Sequence, residues 1–455
     1  MSRRSPRRLA GLVAALALVV TALPALAFAE GTSTAGVASG LQPSAQGPVT
    51  VGYFTQWSIY GRAFYVKNLD TSGAASNLTH INYAFANVNE DGLCFEDNFL
   101  GQGDAWADYQ WPVPAELSVD GVADEWGEPL NGNFGQLLKL KEKYPHLDVN
   151  IAIGGWSWST YFSDAALTPQ SREAFVESCI DLFIKGNLPI LDGGSGGTGA
   201  AAGVFDGIDL DWEWPNWPGE EGNVIRPEDK KNFTALLAEF RKQLDDYGKE
   251  TGEHYGLTAF LPANPAAMDA GFEGKKIFKY LDFATVQGYD FHGTWETTTN
   301  HQSAIFEPAD APFKPDFTLD RTVQSWLDRG ATRNKIVIGI PYFGRGWTGV
   351  EGGGDGLFQP AAGPAPATWE AGYEDFKVLR SLADDGFAVY RDSDAGHAWL
   401  FDGTTFWTYD DLEVIQQKTS YVRDEGLGGA MVWSLDGDDV DSTLTHAIHA
   451  GLQTP

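Results

Sequence analysis

The chain has 455 residues, with 62 acidic against 31 basic side chains and a formal net charge of −31. Charge of that sign and size excludes nucleic acid and an anionic membrane as partners, because both would repel it. At 43% hydrophobic and 20% charged residues the composition is globular rather than disordered, and the length suffices for one large domain or a few smaller ones.

The first segment, residues 1–29, opens with Arg3, Arg4, Arg7 and Arg8, continues with the apolar run Leu9 to Val20, and ends in the small-x-small pattern Ala27-Phe28-Ala29. That order predicts a secretory signal peptide, exported by the general or the twin-arginine route, and an extracellular mature protein. A membrane anchor is the alternative, but the run falls short of the roughly 20 apolar residues of a span. Residues 30–48, rich in Gly, Ser, Thr and Ala, predict a flexible leader.

From there short apolar or β-branched runs alternate with helical patterns: Thr50 to Thr55, Thr79 to Phe85, Asp148 to Ile153, Val204 to Asp211, Gly256 to Leu261, Asp282 to Tyr289, Lys335 to Tyr342 and Gly429 to Ser434. Two helices between them are well marked. One spans Pro169 to Lys185, with the stripe Phe175, Val176, Cys179, Leu182 and Phe183. The other starts at Arg226-Pro227-Glu228-Asp229, with Phe233, Leu236, Leu237, Phe240 and Leu244 on its apolar face. Eight such alternations predict an α/β fold, a (β/α)8 TIM barrel, in preference to an open doubly wound sheet, since no Gly-rich dinucleotide loop follows the first strand. Three connections exceed ordinary barrel loops. Residues 88–131 carry Trp106, Trp111 and Trp126 and predict an ordered cleft wall. Residues 187–203 are Gly/Ala-rich and predict a flexible surface loop. Residues 345–408 predict a small α+β insertion between strand 7 and the last barrel helix, leaving 49–344 and 409–455 for the barrel. The two cysteines, Cys94 and Cys179, fit no zinc spacing, and buried free thiols are expected in preference to a bridge.

The sharpest chemical signal is Phe205-Asp206-Gly207-Ile208-Asp209-Leu210-Asp211-Trp212-Glu213-Trp214. Alternate strand residues share a face, so Asp209, Asp211 and Glu213 should form one line of carboxyls ending at the C-terminal mouth of the barrel, where barrel active sites lie. Three carboxylates so close cannot all ionise in a dry site; a shared proton and a raised pKa suit a general acid. A solvated acidic edge strand, or a hard-cation site with oxygen ligands, are the other readings of the same residues.

Asp206-x-x-Asp209-x-Asp211-x-Glu213 resembles the signature of family 18 glycoside hydrolases, whose best-known members are chitinases. Gly52-Tyr53, Gly154-Gly155-Trp156, Tyr289-Asp290, Pro341 to Arg345 and Met431-Val432-Trp433 are similar to the family's other landmarks, in its order, so the resemblance covers about residues 49–455. The 345–408 segment, with Tyr373, Trp399 and Tyr409-Asp410-Asp411, resembles the insertion of the chitinase subfamily that carries an extra α+β subdomain. The resemblance implies hydrolysis of β-1,4-linked N-acetylglucosamine with retention, the substrate's acetamido oxygen acting as nucleophile. It implies Glu213 as acid and base, Asp211 orienting the acetamido group, Asp209 sharing its proton, and Tyr289 donating to the acetamido carbonyl. Tyr53 would support the aspartate pair. Asp290, Gln287 and Arg345 would bind sugar, and Trp156, Trp295 and Trp433 would stack on pyranose faces, Trp433 at the cleavage point. No cofactor and no metal is expected, and the partner is chitin or its oligosaccharides, met as a monomer.

Two positions depart from the family pattern. Ala152 replaces a Ser that would bond the aspartate pair, and Phe343 replaces a Tyr, a loss for which adjacent Tyr342 is expected to compensate in part. His292, just after Asp290, is expected to be a neutral hydrogen-bonded loop residue rather than a catalyst. The alternatives to a chitinase are an endo-β-N-acetylglucosaminidase acting on N-glycans and a non-catalytic chitin-binding lectin; the presence of Glu213 weighs against the lectin.

Overall fold

The computed structural model describes residues 47–191 and 194–454. The expected signal peptide, and all but the end of the expected leader, lie outside them. Eight parallel strands form the barrel: β1 Val49–Thr55, β2 His80–Val88, β3 Asp148–Gly154, β4 Gly207–Asp211, β5 Gly256–Leu261, β6 Phe283–Val286, β7 Ile336–Pro341 and β8 Gly429–Trp433. Each pairs with the next, and β8 pairs with β1, so the sheet closes. Closure buries both strand faces, which is why most of these runs are largely apolar; β4 and β7 are buried at every position, Asp209 and Asp211 included.

A helix follows each strand: α1 Val66–Thr71, α2 Gly132–Lys143, α3 Pro169–Cys179, α4 Asp229–Thr251, α5 Pro265–Gly271, α6 Leu319–Asp328, α7 Leu412–Asp424 and α8 Thr443–Gln453. Thr168 caps α3 by accepting from Ser171 N–H, and Ser171 answers through Thr168 N–H at 2.9 Å, with Pro169 at the first helical position. The apolar face expected for α4 is buried residue by residue, and the helix stops at Gly252, whose φ of 83° is the left-handed cap that glycine adopts without strain.

Between β7 and α7 a second, antiparallel sheet is built from Phe343–Thr348, Gly363–Pro364, Tyr373–Asp375, Ala388–Asp392, His397–Phe401 and Thr405–Tyr409, with the helix Phe376–Leu382 beside it. Its own apolar cluster includes Trp347, Trp399, Phe401 and Phe406. The strand Phe343–Thr348 begins two residues after β7 ends, so this sheet extends directly from the mouth of the barrel.

Two expectations need correction. Cys94 and Cys179 form a disulfide, Cα to Cα 5.1 Å. Cys94 pairs back onto β2 opposite Val88, which carries it over the end of α3; burial alone does not distinguish a thiol from a bridge. The described part of the 187–203 loop is docked rather than free. Leu188 bridges Gly197, Tyr109 Oη donates to Pro189 O at 2.9 Å, Gly196 N–H donates to Pro129 O at 2.8 Å, and Ala201 is buried.

Candidate active site

The site starts one layer inside the barrel. Asp209 on β4 lies in register with Ala152 on β3 and Thr258 on β5, and is fully buried. Its carboxylate accepts from Tyr53 Oη at 2.5 Å, from Asn82 Nδ2 at 2.7 Å and from Thr258 Oγ1. Asn150 Nδ2 donates to Asn82 Oδ1 at 3.1 Å and so orients that amide. The hydroxyl missing at Ala152 is thus supplied from the opposite flank by Thr258. Sequence reading missed Thr258 and Asn82.

Asp211 ends β4. Tyr53 Oη lies 3.1 Å from its Oδ2, so one phenol bridges both aspartates. Burial, then the charges of Asp209 and Glu213, push the Asp211 carboxyl well above the usual range. One proton is therefore retained within the pair. Beyond the strand the chain turns outward. Glu213 N–H donates to Ser159 Oγ at 2.9 Å and Asn223 Nδ2 donates to Glu213 O at 3.1 Å, which fixes the backbone from which the carboxyl projects. Glu213 therefore sits past the end of β4, not within it as the strand pattern suggested. Burial, with the charge of Asp290 second, raises its pKa to about 8, so it is an acid at neutral pH.

Above these groups opens a cleft of about 1000 Å³. Ten of the eleven residues expected from sequence line it: Tyr53, Trp156, Asp211, Glu213, Gln287, Tyr289, Asp290, Trp295, Arg345 and Trp433; Asp209 lies beneath. Gln287 Oε1 accepts from Ala263 N–H at 3.1 Å. Arg345 Nε donates to Asp290 Oδ1 at 2.8 Å, and its guanidinium stands 5.4 Å from the Trp295 ring and 5.2 Å from the Tyr373 ring. Trp433 packs against Tyr53 at 5.3 Å and stacks on Phe85 at 5.7 Å. Trp156 and Trp295 are half-exposed, presenting flat apolar faces to the cleft. Trp57 also lines it, as do Phe85, Trp158, Trp214, Glu370 and Tyr373, none of which was expected as a site residue. Glu370 lies in a connection of the antiparallel sheet, and Tyr373 begins one of its strands, marked in the sequence only as part of the insertion.

Two further expectations fail here. Tyr342 does not replace the missing hydroxyl of Phe343: it is buried, its Oη 3.0 Å from Thr445 Oγ1, away from the cleft. Phe343 instead stacks on Tyr373 at 4.4 Å, and Tyr373 brings a phenol to the same wall. His292 is hydrogen-bonded and stays off the cleft lining, but it is not neutral. Burial opposes its charge, yet the hydrogen bonds to Asp316 and Glu296 outweigh burial and raise its pKa to about 9.

Residues 49–438 match glycosyl hydrolases family 18. The chain is 38% identical over 437 residues to chitinase 63 of Streptomyces plicatus, covering 94% of this chain and 65% of that protein. It is 35% identical to chitinase A1 of Niallia circulans over 89% of this chain and 58% of the other. The chain thus spans about three fifths of the length of these curated relatives. Among solved structures, the catalytic domain of the psychrophilic chitinase B from Arthrobacter TAD20 superposes with a TM-score of 0.86 at 46% identity, covering 91% of this chain and 97% of that one. With that family's model matching residues 49–438, most of its length, this chain belongs to family 18 of the glycosyl hydrolases.

Proposed function

We propose that the protein is a secreted chitinase that hydrolyses β-1,4 linkages between N-acetylglucosamine units with retention, using the substrate's acetamido oxygen as nucleophile. The observation that carries this reading is a carboxylic acid, Glu213, held protonated to about pH 8 at the floor of an aromatic cleft, directly beyond a proton-sharing aspartate pair. The names of the relatives support the substrate.

Glu213 gives its proton to the glycosidic oxygen as the C1–O bond breaks, and the acetamido oxygen closes on C1 to form an oxazolinium ion. Asp211 holds the acetamido nitrogen in line and balances the positive charge, while the proton retained with Asp209 redistributes within the pair. Tyr289, whose phenol is kept neutral by burial, donates to the acetamido oxygen before attack. The Glu213 carboxylate then takes a proton from water, the water oxygen bonds to C1, the ring opens to the acetamide and the acid is restored. Trp433 stacks under the sugar at the bond, with Trp156 and Trp295 under sugars to either side, and Gln287, Asp290 and Arg345 bind hydroxyls. The antiparallel sheet around 345–408 raises one wall of the cleft. Among the described residues no helix is long and apolar enough to cross a membrane; residues 1–29 direct export, and the enzyme works as a monomer.

The test is hydrolysis of chitin hexasaccharide beside its deacetylated counterpart, with the first-formed anomer read by NMR. Cleavage of the acetylated sugar alone, giving the β-anomer, is expected. Cleavage of the deacetylated sugar at a similar rate, or an α-anomer, would refute substrate assistance; tight binding without cleavage would indicate a lectin.

A further inference from the structure

The loop after β6 takes Tyr289 and Asp290 to the cleft and then turns back. Asp290 has φ 56°, in the left-handed region, which a non-glycine residue keeps only where its surroundings fix it. Phe291 N–H donates to Gln302 O at 3.0 Å. Trp295 is 59% exposed, and its ring packs against Gly293, where a Cβ would stand 2.2 Å from a ring carbon. The platform is therefore only as well placed as the turn beneath it.

His292 sits inside that turn, 5% exposed. Its Nδ1 lies 3.0 Å from the Glu296 carboxylate and its Nε2 lies 2.8 Å from Asp316 Oδ1, so both nitrogens face acceptors and both donate. Glu296 closes the turn through its N–H to Gly293 O at 3.0 Å, and its own carbonyl accepts from Trp347 Nε1 at 3.0 Å, tying the turn to the antiparallel sheet. Asp316 is 3% exposed and stands three residues before α6, so it anchors the far end of the loop to the barrel.

Asp316 also faces His301, with Nε2 to Oδ2 at 3.4 Å. Ala304 N–H donates to His301 Nδ1 at 3.3 Å, which leaves the His301 proton on Nε2, but among the described residues neither that nitrogen nor Asp316 Oδ2 has a hydrogen-bond partner, so the contact between them is one of proximity. The potential ligand atoms of His292, His301 and Asp316 lie within 4.8 Å of one another. An imidazole nitrogen that carries its proton is a donor rather than a metal ligand, and the hydrogen-bonded clamp is His292 between Glu296 and Asp316, with His301 packed beside it. Around it stand Glu296 and Asp316, the His301 ring at 5.2 Å, and beyond them the buried Lys418–Asp410 pair.

We propose that His292 is a positioning residue for sugar binding: by donating to Glu296 and Asp316 together, it fixes the turn that presents Asp290 and Trp295 to the polymer. The substrate rests on the chitinase reading above; the clamp rests on the loop itself. The test compares His292→Gln and Glu296→Gln with the unaltered chain. It reads kcat and KM on chitin pentasaccharide, the melting temperature, and the indole N–H resonance of Trp295 in the ¹H–¹⁵N spectrum of the free protein.

In His292→Gln the KM is expected to rise about tenfold, the equivalent of about 1.4 kcal/mol, with kcat at saturation within about threefold, and the Trp295 resonance to shift or broaden. Trp295→Ala should then add little to KM in the His292→Gln background. Wild-type KM should climb as pH passes about 9, where His292 loses its second donor, and that limb should be flat in the variant. A lower melting temperature with unchanged KM would make His292 merely structural and overturn the proposal, as would loss of kcat at unchanged KM. If His292→Gln does not fold, Glu296→Gln, which keeps an acceptor but not its charge, must move KM in the same direction by less; no change there overturns it. If the wild type cleaves no chitin oligosaccharide, the chitinase reading fails, and the Trp295 resonance still decides the clamp: a position unchanged in both variants refutes it.

Discussion

Replacing Glu213 with Gln separates what the carboxyl does for catalysis from what it costs the fold. Its pKa moves from 4.5 to about 8 on folding, by burial first and by the Asp290 charge second. A group whose folded pKa is raised keeps its proton in the folded state while the unfolded chain has already released it. Below about pH 4.5 both states are protonated and Glu213→Gln should be neutral. Between there and about pH 8 the wild type loses stability progressively, by at most about 5 kcal/mol at 1.36 kcal/mol per unit. Glu213 keeps some solvent contact at the cleft floor, so about 2 kcal/mol is the expected gain of the amide variant at pH 9. With an unfolding entropy of about 2.1 cal/mol/K per residue, that corresponds to a melting temperature higher by about 2–3 °C. Over the same range wild-type kcat/KM on chitin oligosaccharides should fall along an alkaline limb centred near 8. The variant should lose about 10³-fold or more at every pH, since acid and base are one residue. Scanning calorimetry at pH 4.5 and pH 9, with initial rates by reducing-end assay, gives both numbers. Equal melting temperatures at pH 9, or a variant within tenfold of wild-type rate, would refute the assignment.

Thr258→Val should lower kcat about tenfold with little change in KM, because one oxygen of the buried Asp209 carboxylate is left without its donor. Adding Ala152→Ser should restore part of the rate, since residue 152 flanks Asp209 on the other side. Replacing Cys94 and Cys179 together by Ser should cost about 3–4 kcal/mol in urea unfolding, as expected for a bridge that closes a long loop, with activity at 25 °C unchanged; equal stability would show that the bridge does not form. Lys418→Met should cost about 3–5 kcal/mol by stranding Asp410 in the interior, for both groups are fully buried. Asp410→Asn in the Lys418→Met background should recover part of that loss in the same measurement.

Much of the barrel was legible because a closed parallel sheet hides both strand faces, so most strands are short, largely apolar runs with a helix period after them. The ends of the runs were less clear. Val204 to Asp211 and Asp282 to Tyr289 read as strands, but only Gly207–Asp211 and Phe283–Val286 pair. The residues beyond each ladder, Glu213 and Tyr289, belong to the turns that form the cleft, and polarity patterns do not mark where pairing stops. The disulfide was not legible at all. Its cysteines are 85 residues apart, and the apolar stripe that places Cys179 inward predicts burial whatever its oxidation state. The charge of His292 was hidden for a similar reason: it depends on Asp316, 24 residues on, which only the return of the loop brings within 2.8 Å.

The reading of Ala152 went astray for a reason that applies to barrels in general. Treated as part of a linear motif, a missing hydroxyl on β3 leaves Asp209 short of a donor. In the closed sheet, however, every inward residue has a neighbour on both sides at the same height. Asp209 is flanked by Ala152 on one and Thr258 on the other, with Asn82 and Tyr53 reaching across from strands more than a hundred residues away. The unit that sets the proton of the aspartate pair is thus a ring of inward side chains from β1, β2, β4 and β5, not the run from Asp206 to Glu213. A donor lost from one strand can return from the next without any change in the motif, which is why the carboxyl line could be read from the sequence while its supporting contacts could not.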